Sequence, residues 1–107
     1  MKYHNKKVTI NGEIFDSKKE AARWQELLLL QRAGKISHLT RQVTYDLLPS
    51  QYIDGKCVER AVKYVADFVY KENGQLIVED TKGMKTPEYI IKRKLLLSVY
   101  GIRIKEV

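Results

Sequence analysis

Short runs of alternating apolar and polar residues open the chain. Residues 8–10 and 13–15 flank Asn11-Gly12, a dipeptide that favours the two-residue type I′ turn between antiparallel strands. The pattern predicts an N-terminal β-hairpin within residues 1–16.

Helical spacing follows the hairpin. Ser17 and Glu20 have the spacing of a capping box, in which a hydroxyl and a carboxylate bind backbone N–H groups of the first turn. Apolar residues then recur at helical intervals as far as Gly34, which suits the left-handed position that ends a helix. A first helix is predicted over residues 17–33.

Period-two alternation returns after this helix. It predicts a strand around residues 41–48, and Pro49 with Asp54-Gly55 indicates a loop or turn region. Residues 59–70 are rich in strand-forming side chains.

A second Asn-Gly dipeptide joins that segment to another strand. Asn73-Gly74 predicts a hairpin turn, and the strand that follows covers residues 75–82 and ends at Gly83.

The C-terminal part has the signals of a second helix. Thr86 is expected as its N-cap, Pro87 as its first residue, Glu88 in its first turn and Gly101 at its end. Residues 102–107 are predicted as a last short strand.

These elements define an α/β protein. Their order is hairpin, helix, three strands, helix and strand, and 107 residues with 44% apolar content suit a single domain over residues 1–107. No apolar stretch approaches the roughly 20 residues of a membrane helix. The single Cys57 provides neither a disulfide framework nor a zinc pattern. We expect a cytoplasmic protein without a membrane partner.

Charge adds a prediction about the partner. The net charge is +7, and residues 17–42 and 84–107 each carry six basic and two acidic side chains. Residues 44–83 between them carry five basic and seven acidic side chains. Basic flanks suit a polyanion such as nucleic acid, and an acidic centre suits cations. The alternative is a basic surface that only aids solubility.

The second predicted hairpin carries the candidate chemistry. Counting outward from a two-residue turn places Asp67 directly opposite Asp80, and Lys82 points to the same face. Two adjacent carboxylates repel each other unless a cation bridges them, and oxygen-only ligands suit Mg²⁺ or Mn²⁺. The alternative is an ordinary sheet in which Lys82 forms a diagonal ion pair with Asp67.

Apolar residues on both faces of this hairpin weaken that alternative. Alternation places Val65, Val69, Leu76 and Val78 on the face of the two aspartates, and Ala66, Phe68, Tyr70 and Ile77 on the other. A strand pair covered on both sides is an unfavourable place for three charged groups without a partner. Glu79 points away from Asp67 unless a bulge intervenes.

Asp67, followed after an apolar strand by Asp80-Thr81-Lys82, resembles the D…(D/E)-x-K signature of the PD-(D/E)XK nuclease superfamily. The resemblance implies a restriction-endonuclease-like core over residues 17–107, with a central mixed sheet flanked by helices. It also implies an Mg²⁺-dependent endonuclease that leaves 5′-phosphate and 3′-hydroxyl ends. The residue before Asp67 is Ala66 rather than proline, a departure that is common in the superfamily.

Three segments resemble a narrower family of small phage and prophage proteins placed in that superfamily: residues 12–20, the pair Arg41-Gln42, and residues 78–83. This resemblance implies a phage-encoded protein, with phage replication or recombination proteins as possible partners. Few residues remain for a separate specificity element, which favours recognition of branched or otherwise structured DNA, or targeting by a partner or a homodimer.

Two helix residues are further candidates. Glu20 resembles the helix carboxylate that many superfamily members add to the metal site, whereas a capping box would direct it to the Ser17 backbone. Lys94 falls within the apolar arc predicted for the second helix, formed by Ile90, Ile91, Leu95 and Leu97. It either extends to the edge of the core or reaches the scissile phosphate beside Lys82.

The predicted catalytic set is Asp67, Asp80, Lys82, Glu20 and Lys94, with Asp67, Asp80 and Glu20 as metal ligands. The predicted nucleic-acid contacts are Lys18, Lys19, Arg23, Gln42, Lys92 and Arg93. Solvated surface is the alternative for the basic residues, and a polar strand-edge position is the alternative for Gln42. An endodeoxyribonuclease is the favoured function, and a non-catalytic DNA-binding module on the same scaffold is the alternative.

Overall fold

The computed structural model describes residues 6–82 and 84–107, so the predicted strand end at Gly83 lies outside the described residues. The helices are α1 (Lys18–Arg32) and α2 (Pro87–Tyr100). The strands are β1 (Val8–Ile10), β2 (Glu13–Phe15), β3 (Ser37–Leu48), β4 (Gln51–Ile53), β5 (Lys56–Glu59), β6 (Val62–Glu72), β7 (Gln75–Asp80) and β8 (Lys105–Glu106). No helix in this part of the chain is long and apolar enough to cross a membrane.

Four strands form a central sheet in the order β3-β6-β7-β8. The first two pairings are antiparallel and the β7–β8 pairing is parallel, so the sheet is mixed, as predicted. Consecutive residues of a strand point to opposite faces, and Phe68 packs with α1 while Val69 packs with α2. The two helices therefore cover opposite faces of the sheet.

Each face has its own apolar core. The α1-side core comprises Leu27, Ile36, Phe68 and Tyr70, with Trp24, Leu39 and Ile77 packed against it. The α2-side core comprises Leu47, Tyr64, Ala66, Val69, Val78, Tyr89, Leu96 and Ile104. Burial on both faces makes β6 and β7 the central strands of the molecule.

The helix ends agree with the sequence signals. The Ser17 hydroxyl accepts a hydrogen bond from the Glu20 N–H at 3.1 Å, and Gly34 has a left-handed φ of 77° after the last turn of α1. In α2, the Thr86 hydroxyl accepts from the Tyr89 N–H at 3.1 Å, and Gly101 ends the helix at φ 70°. Both predicted helices are confirmed.

The buried side of α2 agrees only in part with the prediction. Tyr89 and Leu96 are its buried residues, two turns apart on one line of the helix. Ile91, Lys94 and Leu97 are exposed. The placement of Lys94 within a buried arc is therefore wrong. Of the predicted apolar arc, Ile90 and Leu95 pack against the core beside Tyr89 and Leu96, and Ile91 and Leu97 lie in solvent.

Two strands were not predicted. Pro49 and Asp54-Gly55 were expected to mark a loop or turn region, but Asp54-Gly55 is the turn of a hairpin between β4 and β5. Every residue from 51 to 60 is exposed, so the segment lacks the alternation of a half-buried strand. At the C-terminus the strand is shorter than predicted and covers only Lys105–Glu106.

The hairpin of β6 and β7 has the predicted register. Glu72 pairs with Gln75, and Phe68 pairs with Glu79. Asn73 has a φ of 53°, as the type I′ turn requires. The register that was counted outward from this turn is confirmed.

At one level of the sheet, the alternating residues of β3 and β6 switch the face to which they point. Ala66 and Val69 lie in the same core, although strict alternation predicts opposite faces for them. Asp67 and Gln42 occupy the level where this exchange occurs, and Gln42 has a φ of 54°, which is unusual for a strand. The predicted face is therefore wrong for Ala66, which precedes Asp67, and correct for the buried residues that follow Asp67 in β6.

Candidate functional site

Asp67 is fixed by the residue that follows β7. Its Oδ2 atom accepts two hydrogen bonds from Thr81, one from the backbone N–H at 2.8 Å and one from the hydroxyl at 2.7 Å. Asp67 is half-buried at the level where β6 changes face. These bonds hold its carboxylate against the end of β7.

Asp80, the last residue of β7, is 1% exposed. Its Oδ2 atom accepts a hydrogen bond from the Tyr64 hydroxyl at 2.6 Å and lies 3.4 Å from the Lys82 ammonium. Burial raises the pKa of Asp80 to about 8, and a hydrogen bond and charge repulsion from Asp67 add to this effect. Tyr64 and Lys82 act in the opposite direction.

Lys82 lies just beyond β7 and on the side of Asp80, as the alternation predicted. Its backbone N–H donates to the Val107 carbonyl at 3.3 Å, which holds it beside the chain terminus. Its ammonium lies 4.5 Å from the centre of the Tyr89 ring, within range of a cation–π contact. Its ion pair is with Asp80 rather than the diagonal one with Asp67 that the alternative interpretation required.

Glu20 brings a third carboxylate to this region from the first turn of α1. It is 2% exposed, and its two oxygens accept hydrogen bonds of 3.3 Å from the Asp16 N–H and the Gln42 amide. Burial raises the pKa of Glu20, and the negative charge of Asp67 raises it further. In a standard capping box Glu20 would accept a hydrogen bond from the Ser17 N–H, but here it accepts from the Asp16 N–H instead.

The three carboxylates provide the chemistry of a hard-cation site without enclosing one. Oxygen atoms alone, from Asp67, Asp80 and Glu20, match the preference of Mg²⁺ and Mn²⁺. In residues 6–82 and 84–107, however, no three His, Cys, Asp or Glu side chains lie close enough together to hold an ion. The arrangement is a close Asp67–Asp80 pair, with Glu20 tied to Gln42.

Glu79 belongs to a different network on the opposite face. Arg23 donates to both of its carboxylate oxygens, at 2.8 and 2.7 Å, and the Tyr70 hydroxyl donates to it as well. The bond to Glu79 raises the pKa of Arg23 above its ordinary value. Glu79 is thus separated from the Asp67–Asp80 pair, and the Arg23 guanidinium, predicted as a DNA contact, is engaged inside the protein.

A cleft opens beside Asp80. It has a volume of about 320 Å³ and is lined by Lys63, Tyr64, Val65, Lys82, Thr86, Glu88, Tyr89 and Lys92. We call it the lysine cleft. Tyr64 and Lys82 line it and also contact Asp80, so the cleft adjoins the carboxylate pair.

The other predicted contact residues have separate positions. Lys18 and Lys19 are exposed at the start of α1, and the Lys19 ammonium lies 3.4 Å from the Lys82 carbonyl. Lys92 pairs with Glu88 at 2.9 Å in the lysine cleft.

Arg93 and Lys94 belong to a second cavity. Arg93 pairs with Glu106 at 3.0 Å, and both residues line a cavity of about 360 Å³ that also contains Lys94. The residues lining this cavity are distinct from those of the lysine cleft. The structure therefore does not bring Lys94 to Lys82.

Sequence reasoning missed the groups that hold the aspartates. Alternation places Tyr64 and Asp80 on opposite faces, and only the exchange of faces at Asp67 brings them together. Thr81 is the middle residue of the Asp-x-Lys motif, so its position carried a signal, but nothing in the sequence shows that it binds Asp67. Lys63 gave no signal, because an exposed strand lysine is common.

The fold and the site define an α/β protein with a mixed sheet, in which a buried aspartate and a half-buried one adjoin a lysine-lined cleft. The chain belongs to the family described as protein of unknown function (DUF1064), whose model matches residues 1–105. No curated protein and no solved structure matches the chain.

Proposed function

We propose that this chain is a metal-dependent endodeoxyribonuclease that hydrolyses DNA phosphodiester bonds at Asp67, Asp80 and Lys82. One observation carries the proposal: two carboxylates lie against each other, one of them buried, with a lysine ammonium 3.4 Å away. Carboxylates in such a position are unfavourable unless a proton or a cation lies between them. A bound divalent cation would offset the repulsion between the two carboxylates.

Asp67 and Asp80 are the residues that would hold Mg²⁺, with Mn²⁺ as a substitute. The hydrogen bonds from Thr81 and Tyr64 end on their Oδ2 atoms, and a bound cation would replace the hydrogen bond between the two carboxylates. Glu20 is the third candidate ligand. When bound, the metal would lower the pKa of a water molecule and neutralise charge on the phosphate.

Lys82 would stabilise the negative charge that builds on the phosphate oxygens during attack. Its place beside Asp80 and the Tyr89 ring supports this role, because both contacts direct the ammonium toward the lysine cleft. Tyr64 and Thr81 would keep the two carboxylates oriented through hydrogen bonds to one oxygen of each.

DNA is the substrate that the charge distribution favours. The net charge is +7, and exposed lysines at the start of α1 lie next to the candidate site through the contact of Lys19 with Lys82. Lys18, Lys19 and Lys92 are the basic residues that we assign to phosphate contacts. Gln42 is assigned to Glu20 instead, because its amide donates to that carboxylate.

A restriction-endonuclease-like fold is part of the proposal. The succession of α1, the sheet strands β3, β6 and β7, then α2 and the parallel strand β8 has the element order expected of that core. The exposed β4–β5 hairpin would be an insertion between its first two strands.

The biological setting is proposed from the sequence resemblance. The enzyme would be encoded by a phage, act on branched or otherwise structured DNA in the cytoplasm of a bacterial host, and work beside phage replication or recombination proteins. A homodimer would supply two active sites, one for each strand of a duplex.

A non-catalytic DNA-binding module is the second candidate. It is favoured by one observation, namely that no three metal-binding side chains in residues 6–82 and 84–107 are grouped closely enough to hold an ion. Such a module would bind DNA with strong salt dependence and would not cut it.

Cleavage of plasmid and branched DNA with Mg²⁺ or Mn²⁺ tests the proposal. We expect cutting by the wild type and at least about a hundredfold slower cutting by Asp80→Asn, because the variant lacks one of the carboxylates needed to hold the metal. Asp54→Asn is the matched control, since Asp54 lies in the exposed β4–β5 turn, where asparagine is equally suited to positive φ.

Two outcomes would contradict the proposed nuclease. Equal cutting by the wild type and Asp80→Asn would show that the assigned site is wrong. Wild-type protein that binds DNA but leaves every substrate intact would favour the binding module.

A further inference from the structure

The lysine cleft contains two lysines that have no role in the proposed hydrolysis. Lys63, Lys82 and Lys92 line it, and the hydrolytic role falls to Lys82 alone. Among the described residues that line it, Glu88 is the single acidic one. A concave surface with this excess of positive charge attracts anions.

The cleft lies where the substrate strand would continue. Tyr64 and Lys82 are shared between the cleft and the contacts of Asp80, so a phosphate held at the carboxylate pair would sit at the edge of the cleft. Lys63 and Lys92 also line it, and Thr86 adds the positively polarised start of α2.

The present partners of the two outer lysines are weakly held. Lys63 lies 3.5 Å from Asp46, and both side chains are more than half exposed. Lys92 lies 2.9 Å from Glu88, whose side chain is 76% exposed. Exposed ion pairs of this kind contribute little to stability, so a phosphate can replace either partner at little cost to the fold.

We propose that the lysine cleft binds a second backbone phosphate of the DNA, next to the one at Asp67 and Asp80, through Lys63 and Lys92. The inference rests on the proposed function, because it takes DNA as the substrate. Contacts to phosphates position a strand without reading its sequence. The cleft therefore sets the position of the strand relative to the carboxylates and confers no base preference.

Salt dependence of DNA binding tests this site without any cleavage. The affinity is measured over a range of salt concentrations, without divalent cations, on a duplex that lacks terminal phosphates. The slope of log affinity against log salt falls by about 0.9 for each duplex phosphate contact that is lost. We expect a loss of about 1 in the Lys63→Ala/Lys92→Ala double variant, because both lysines hold the same phosphate.

The controls separate the cleft from general surface charge. Lys71→Ala removes an exposed lysine from the same strand as Lys63 but outside the cleft, and we expect it to keep the wild-type slope. Lys63→Arg/Lys92→Arg keeps both charges and should also keep the slope. Thermal unfolding confirms that each variant is folded.

The outcomes separate this inference from the proposed nuclease activity. An unchanged slope in the double alanine variant, or an equal loss in Lys71→Ala, overturns the cleft site even when the wild type cuts DNA. A lower slope only in the double alanine variant supports the cleft site even when the wild type fails to cut, and that failure then counts against the nuclease alone.

Discussion

At the scale of single residues, Asp80 is a carboxyl group in an environment that disfavours its charged form. It is 1% exposed and lies against a second carboxylate, and together these raise its pKa from 3.8 to about 8. The folded state therefore holds the Asp80 proton more tightly than the unfolded chain does. The stability that this proton contributes is fully present below the unfolded pKa and is lost as the pH rises through about 8.

Replacement of Asp80 by asparagine should remove this pH dependence. Asparagine still accepts the Tyr64 hydrogen bond but carries no charge. We expect Asp80→Asn to gain stability relative to the wild type between pH 5 and pH 9, by at least about 1 kcal/mol in the absence of divalent cations. Urea unfolding at both pH values measures this difference, with Asp54→Asn as the control. A difference that is the same at pH 5 and pH 9 would contradict the assignment of the raised pKa to Asp80.

The sequence predicted the triad better than its surroundings. Asp67, Asp80 and Lys82 could be related to one another because a single turn of known geometry fixes the register between them. Tyr64 lies across an exchange of faces that no local pattern reports, so its bond to Asp80 could not be predicted. The bond of Arg23 to Glu79 was also beyond prediction, since it joins a helix to a strand far along the chain.

At the scale of elements, the exchange of faces in β3 and β6 shapes the site. Gln42 has a φ of 54° at the level of Asp67, and its amide reaches Glu20. Before this level β3 directs Leu39 to the α1-side core, and after it β3 directs Val43 to the α2-side core. Asp67 therefore contributes its carboxylate to the site from the level at which the side chains of β3 and β6 change sides of the sheet.

Substitutions at Gln42 test this local backbone. Left-handed φ is unfavourable for a β-branched side chain and accessible to glycine. We expect Gln42→Val to be less stable than Gln42→Gly by about 1–2 kcal/mol, although valine has the higher strand propensity. Chemical denaturation of both variants gives the comparison. Greater stability of the valine variant would show that β3 is regular at this position.

Helix α2 shows the limit of periodicity at this scale. Its ends were predicted correctly, because Thr86, Pro87 and Gly101 act through their own backbone geometry. Its buried side was predicted only in part, with Ile90 and Leu95 correct, because that side depends on which elements pack against the helix. The Tyr89 hydroxyl donates to Glu106 of β8 at 2.6 Å, a partner that a helical wheel cannot reveal.

At the scale of the whole molecule, the fold class followed from the order of strong local signals. Two capped helices and two Asn-Gly turns were sufficient to predict an α/β protein, whereas the mixed sheet was expected from the family resemblance. The β4–β5 hairpin was missed because its residues are exposed on both sides, so burial imposes no alternation on them. The short β8 was overestimated because Ile102 and Ile104 pack into the α2-side core without pairing as a strand.

A divalent cation between Asp67 and Asp80 is the feature on which the proposed chemistry depends, and calorimetric titration with Mn²⁺ measures it directly. We expect the wild type and Asp54→Asn to bind Mn²⁺ alike, and Asp67→Asn and Asp80→Asn to bind it at least about tenfold more weakly. Binding that is absent from the wild type at every accessible concentration, or equal in all four proteins, would contradict the cation site.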